Sequence, residues 1–198
     1  MQASRLGGLF TTSRRRRALR GVLAAGGGAL ALGAGVAGAG AVAGCAAGGL
    51  ALKLGVRVVP KTMQLPLRLE LVNRGGAPCT LEGYPRVQLR SSSGALYAFS
   101  YREHGDAEVT ARRPALVTLR PGGGAWVLLN KTPCIGNVDG RLARQVWLMA
   151  PGTTGFLRLP LGNIVLFDYC GAGDPGHTID VSPLEPTAGA TVAPASST

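Results

Sequence analysis

Leu65-Pro66-Leu67-Arg68-Leu69-Glu70-Leu71-Val72-Asn73 has a period of two: leucines at 65, 67, 69 and 71 alternate with Pro66, Arg68, Glu70 and Val72. Successive side chains of an extended chain point to opposite sides, so this stretch has one apolar face and one mixed face, as a half-buried strand does. Outward from it, comparable runs fall at 50–59, 86–90, 95–101, 115–119, 125–130, 145–150, 155–160 and 178–182. Turn formers separate them: Asn73-Arg74-Gly75-Gly76, Ser91-Ser92-Ser93-Gly94, Pro121-Gly122-Gly123-Gly124 and Pro151-Gly152. No segment sustains an apolar period of 3.6 without a turn former inside it. Short strands punctuated in this way predict an all-β fold, an antiparallel sandwich of about seven to nine strands. Leu67, Leu69, Val87, Leu119, Trp126, Leu128 and Trp147 are the expected core.

Ahead of the strands lies a different composition. Arg14-Arg15-Arg16-Arg17-Ala18-Leu19-Arg20 precedes 24 uncharged residues, Gly21 to Gly44, made of nine Gly, nine Ala, three Val and three Leu. That segment is long enough to cross a bilayer but poor in large side chains, so residues 1–44 are expected to be an export leader, with a retained signal anchor as the rival. Arg15-Arg16 with Leu19 and Arg20 resembles a twin-arginine signal, although Ala18 and Arg14 depart from it. At the other end, residues 187–198 hold only Ala, Thr, Ser, Pro, Gly and Val and are expected to be a disordered tail, leaving 45–186 as the folded domain.

The charge of +11 over 198 residues suggests nucleic acid until it is divided along the chain. Six arginines precede the apolar stretch, which leaves 15 basic against 10 acidic residues, a balance of +5. Those 15 are scattered, apart from Arg112-Arg113, without stacking aromatics among them, so no nucleic-acid partner is expected.

Four cysteines, Cys45, Cys79, Cys134 and Cys170, all follow the apolar stretch. Export permits bridges, and three pairings are open; Cys134 with Cys170 and Cys45 with Cys79 are favoured. Cys45 has a competing fate. Val42-Ala43-Gly44-Cys45 has the form of a lipobox, which would make Cys45 a lipidation site and orphan one thiol, whereas Ala41-Val42-Ala43 fits ordinary signal cleavage after Ala43. No Cys-x-x-Cys pair exists, so neither a metal nor any other cofactor is expected.

Asn73-x5-Cys79-Thr80-Leu81-x-Gly83-Tyr84-Pro85, followed by Val117-Thr118-Leu119-x-Pro121-Gly122, resembles the "domain of unknown function 4232" family of actinobacterial exported proteins. The resemblance spans about 45–186 and implies an immunoglobulin-like sandwich behind a signal peptide, often lipid-anchored. It also implies that Cys45, standing shortly before the leucine-rich Leu50 strand, is a bridge cysteine. The chain departs from the pattern between Asn137 and Gln145. Within the motif, Gly83 and Pro85 are expected to turn the chain, Tyr84 to bury its ring and bond its hydroxyl to backbone, and Cys79 to pin the incoming strand.

Catalytic constellations fare poorly. His104 and His177 are the only histidines, each in a polar loop, and no Gly-x-Ser-x-Gly is present. The turn at Pro121–Gly124 continues into Ala125-Trp126, not Lys-Ser/Thr, and so is no phosphate loop. The expectation is therefore a non-enzymatic binding or structural module of the cell envelope. Its partner would be an envelope protein or wall polymer contacted through loops 102–113 and 137–144, and membrane contact would come only through the leader or a lipid. The alternatives are a secreted hydrolase using His104 or His177, and an exported enzyme inhibitor.

Overall fold

The leucine alternation becomes the second strand of a five-stranded sheet in the computed structural model, which describes residues 41–135, 141–164 and 167–195. Ten strands occur among the described residues: β1 (Leu50–Leu54), β2 (Leu67–Asn73), β3 (Cys79–Leu81), β4 (Arg86–Arg90), β5 (Ser100–Arg102), β6 (Val117–Leu119), β7 (Gly124–Lys131), β8 (Gln145–Met149), β9 (Leu157–Pro160) and β10 (Thr178–Val181). They form sheets ordered β1-β2-β7-β10-β5, β3-β6 and β4-β8-β9. The fold is all-β. Apart from strands there are only short 3₁₀ turns among the described residues.

Seven of the strands fall inside the expected runs, β5 overruns its run by one residue and β7 by one at each end, and the tenth, β3, is the Cys79-Thr80-Leu81 part of the motif, too short to show a period. A second departure is the pairing of β5 with β10, which is parallel. An antiparallel hairpin is not required there, because a connection from 103 to 177 separates the two strands.

Register explains the core. Leu67, Leu69 and Leu71 of β2 oppose Leu129, Val127 and Ala125 of β7, and all six are buried in one cluster with Leu81, Val87, Leu89, Leu119, Val146 and Leu148 from the other two sheets. The expected burial holds for Leu67, Leu69, Val87, Leu119 and Leu128, but Trp126 and Trp147 are only half-buried. Parity is the reason. Ala125 and Val127 face inward, as do Val146 and Leu148, so each intervening tryptophan must face outward.

Leu128 also faces outward, yet it is fully buried, because a second layer covers that side of the five-stranded sheet. Val58, Val109 and Leu128 cluster there, with Val192 packed against them. Residues 187–195 thus correct the expectation of a disordered tail. Thr110 N donates to Thr191 O at 3.0 Å, Ala193 N to Glu108 O at 2.8 Å, and Val109 bridges Val192. The tail is held by backbone pairing, which composition does not report. Glu108, fully buried, ties the 55–66 connection into the same layer: its Oε1 accepts from Lys61 N at 2.6 Å, Thr62 N at 2.8 Å and Thr62 Oγ1 at 3.0 Å.

Two disulfides staple the sandwich, Cys45–Cys79 with Cα atoms 4.8 Å apart and Cys134–Cys170 at 5.7 Å. On the loop-entropy model each contributes about 3–4 kcal/mol. Beside the second, Lys131 is wholly buried. Its Nζ donates to Asp168 Oδ1 at 2.7 Å and Thr132 O at 2.9 Å, which compensates a charge that would otherwise be costly to desolvate.

Candidate interaction face

The outward side chains of β4, β8 and β9 make a basic and aromatic surface. Val87 and Leu89, Val146 and Leu148 take the inward positions, so Arg86, Gln88, Arg90, Gln145, Trp147 and Arg158 are left on the other side. Trp147 pairs across the ladder with Gln88 on β4 and Arg158 on β9. A guanidinium from each flanking strand lies over its ring, Arg90 Cζ at 3.9 Å from the centroid and Arg158 Cζ at 4.1 Å. Cation–π attraction and the long aliphatic stems both favour this stacking.

Hydrogen bonds hold the arrangement in place. Arg90 donates from Nη2 to Gln88 Oε1 at 2.7 Å and from Nη1 to Gly94 O at 2.7 Å. Trp147 Nε1 donates to Gln145 Oε1 at 3.0 Å, and Gln145 Nε2 donates to Ser92 O at 3.2 Å. The three strands carry Arg86, Arg90 and Arg158 and no acid. Arg86 and Arg158 are exposed, so the face offers positive charge that no carboxylate on its own strands neutralises.

The motif residues serve the frame. Asn73 is 2 % exposed and joins three segments: its Nδ2 donates to Ala77 O at 2.9 Å and Leu119 O at 3.1 Å, and its Oδ1 accepts from Gly75 N at 2.8 Å. Gly83 has φ +119°, a conformation that disfavours a side chain, and its carbonyl accepts from Leu184 N at 3.0 Å. Leu81 and Pro85 are buried. Tyr84 departs from its expected role, for it is half-buried and its hydroxyl has no backbone partner among the described residues. Burial, and then the carboxylates of Glu103 and Glu185, raise its pKa. The backbone-bonded tyrosine is Tyr101, whose hydroxyl accepts from Leu89 N at 3.2 Å and so ties β5 to β4; burial pushes its pKa up to about 12.

Parts of the expected contact loops are tied into the fold, while residues 103, 104, 107 and 111–113 of the first are exposed. Arg102, on the first of them, pairs with Asp180 at 2.7 Å and 3.1 Å. Burial, reinforced by nearby Asp106, holds the Asp180 carboxyl above its usual range against the pull of Arg102, whereas the pairing raises exposed Arg102. Asp106 caps the chain by accepting from Glu108 N and Val109 N at 2.7 and 2.6 Å. Of the second loop, 137–140 lie outside the described residues, as do residues 1–40 of the expected leader. Arg141 lies over Tyr169, 5.0 Å from its centroid, and Arg144 Nη1 donates to Gly162 O at 3.1 Å.

The two histidines are not brought together. His104 is exposed on its loop, and His177 is half-buried against Tyr169 and Phe99 with Nδ1 3.0 Å from Cys170 O. Asp174, beside Cys134 and Cys170, accepts from Gly176 N at 2.8 Å and Ile135 N at 3.1 Å, and bridged sulfurs offer no thiolate to a metal. Cys45 is joined to Cys79, the pairing that the family resemblance implies. The segment before it also belongs to the sheet edge: Thr80 N donates to Ala43 O at 2.9 Å and Cys45 N to Thr80 O at 3.0 Å. The boundary expected at 44 falls within this paired segment.

Fold and staples together define a disulfide-bonded β-sandwich of the kind that persists in an oxidising compartment. The family model described as "Domain of unknown function (DUF4232)" matches residues 45–185, and the chain belongs to that family. No curated protein and no solved structure matches it. Among the described residues no helix is long and apolar enough to cross a membrane.

Proposed function

We propose that this chain is exported to the cell envelope and that its sandwich is a non-enzymatic binding module for an acidic wall polymer. The observation that carries this reading is the acid-free face on which Arg90 and Arg158 flank Trp147 and Arg86 stands exposed. A repeating anion meets such a face through several weak, screened contacts, so affinity should rise with polymer length and fall with salt. The aromatic ring orients the guanidiniums, and the paired glutamines restrict them further. Soluble export, with Cys45 in a bridge and not under a lipid, is part of the same reading. The two disulfides support it.

Retention of the protein on dextran sulfate and on neutral dextran, at low and high salt, tests the proposal. Salt-sensitive retention on dextran sulfate alone is expected, and it should be lost in a folded Arg86→Gln/Arg90→Gln/Arg158→Gln variant. Equal retention of that variant would overturn the assignment of the face.

A further inference from the structure

A cavity of about 320 Å³ opens beside the end of β1, with apolar walls from Leu54, Val56, Leu67 and Ile164 and with Arg57 and Arg68 as its charged groups. Arg68 is 9 % exposed. Its Nε donates to Thr191 Oγ1 and its Nη1 to Val56 O, both at 3.3 Å, which leaves Nη2 without an acceptor among the described residues. No carboxylate pairs with it; the ion pairs among the described residues are Arg102–Asp180 and Lys131–Asp168. Buried charges are ordinarily paired, because desolvation without a counter-charge is expensive. Here burial pulls the guanidinium below its ordinary pKa with no acid opposing it.

The mouth of the cavity is largely apolar, with exposed Arg57 at its side. Leu54 is 42 % and Val56 65 % exposed, and Val59 beyond them is 83 % exposed. A guanidinium without a carboxylate partner and aliphatic walls around the cavity ask for one molecule with two parts: a carboxylate for the free Nη2 end of Arg68 and a hydrocarbon chain for the walls. The volume lies at the lower end of small-ligand pockets, which limits the chain to medium length. We propose that this cavity binds a medium-chain carboxylate, its head on Arg68 and its alkyl chain against Leu54, Leu67 and Ile164. The site is separate from the Trp147 face, so neither assignment depends on the other.

Calorimetric titration of protein recovered from expression of the full chain tests the proposal, with decanoate, decanol and acetate each kept below the concentration at which it aggregates. Decanoate should bind saturably at one site, with decanol and acetate each at least about tenfold weaker, since one lacks the charge and the other the chain. Arg68→Gln should weaken decanoate by about tenfold or more, the usual scale for a lost charge-assisted bond. Val56→Glu places a competing carboxylate at an exposed position and should do the same while the circular dichroism and melting temperature stay as in the parent, which keeps the test decisive if Arg68→Gln fails to fold. Arg158→Gln should leave decanoate binding unchanged. Equal affinity for decanoate and decanol, or undiminished decanoate binding in folded Val56→Glu, would overturn the assignment.

Discussion

The five-stranded sheet and the β4-β8-β9 sheet share one core but treat their outward sides differently. Over the first, the 55–66 connection and residues 187–195 add a layer that buries Leu128 completely. Over the second no such layer lies among the described residues, and its arginines and Trp147 reach solvent. The contrast teaches that outward position in a strand does not settle whether a residue serves stability or contact. What decides is whether the chain itself returns to cover it.

Truncating Leu128 should break the covered side most severely. Leu128→Ala removes a fully buried side chain, and chemical denaturation should show a loss of about 2–5 kcal/mol, comparable to an ordinary core leucine. A loss below 1 kcal/mol would mean that the outer layer is merely laid on. Glu108→Ala should cost less, about 1–3 kcal/mol, because it strands the Lys61 and Thr62 backbone donors in the same layer.

Tyr101 couples the two sheets and carries a pH signature. Its folded pKa, about 12, lies above the ordinary 10.0, so its contribution is fully present below pH 10 and is lost as pH rises through 12. Stability should therefore fall by roughly 1–3 kcal/mol over that window. Tyr101→Phe should lose stability at neutral pH and flatten this alkaline slope, and an unchanged slope would rule Tyr101 out as its source. Asp180 and Glu185 have raised pKa values through burial, so they act the same way at the acid end: their contribution is present below the ordinary carboxylate range and lost as pH rises through their folded pKa values. Asp180→Asn with Glu185→Gln should reduce that part of the stability profile.

The open side should yield the smallest stability effect. Arg158→Gln removes one guanidinium from the Trp147 ring and should cost about 0.5–1 kcal/mol. Its main consequence should be weaker, less salt-sensitive retention on dextran sulfate. A loss as large as that of Leu128→Ala would erase the distinction between the two sides.

Much of the fold is legible because leucine alternation and glycine-proline punctuation are strong local signals, and each run of that kind overlaps a strand. β3 is not, since three residues within a motif show no period. The two tryptophans are the exceptions in the expected core: bulk favours burial, but the inward positions of Val146 and Leu148 assign Trp147 to the outer side. The Trp147 face had a readable trace: Arg86, Gln88 and Arg90 alternate as regularly as the leucines do. What joins them to Arg158 is cross-strand register, which depends on residues far apart in the chain. The Arg68 cavity was hidden for a further reason. Whether a charge in an alternating strand meets water or the underside of a distant segment is a property of packing alone.

The bond between Cys45 and Cys79 gives the sandwich a mechanical property. Pulling on the chain ahead of Cys45 sends tension straight across the sulfurs to Cys79, and the intervening 34-residue separation is bypassed. β1 and β2, the latter central to the buried cluster, lie within that covalent loop and bear none of the load. Force enters instead at β3, a short strand hydrogen-bonded to β6 and anchored beside the Asn73 junction. A domain held by its N-terminal end would therefore be loaded first at its small sheet, and β1 and β2 cannot be drawn out in extension while the disulfide is intact.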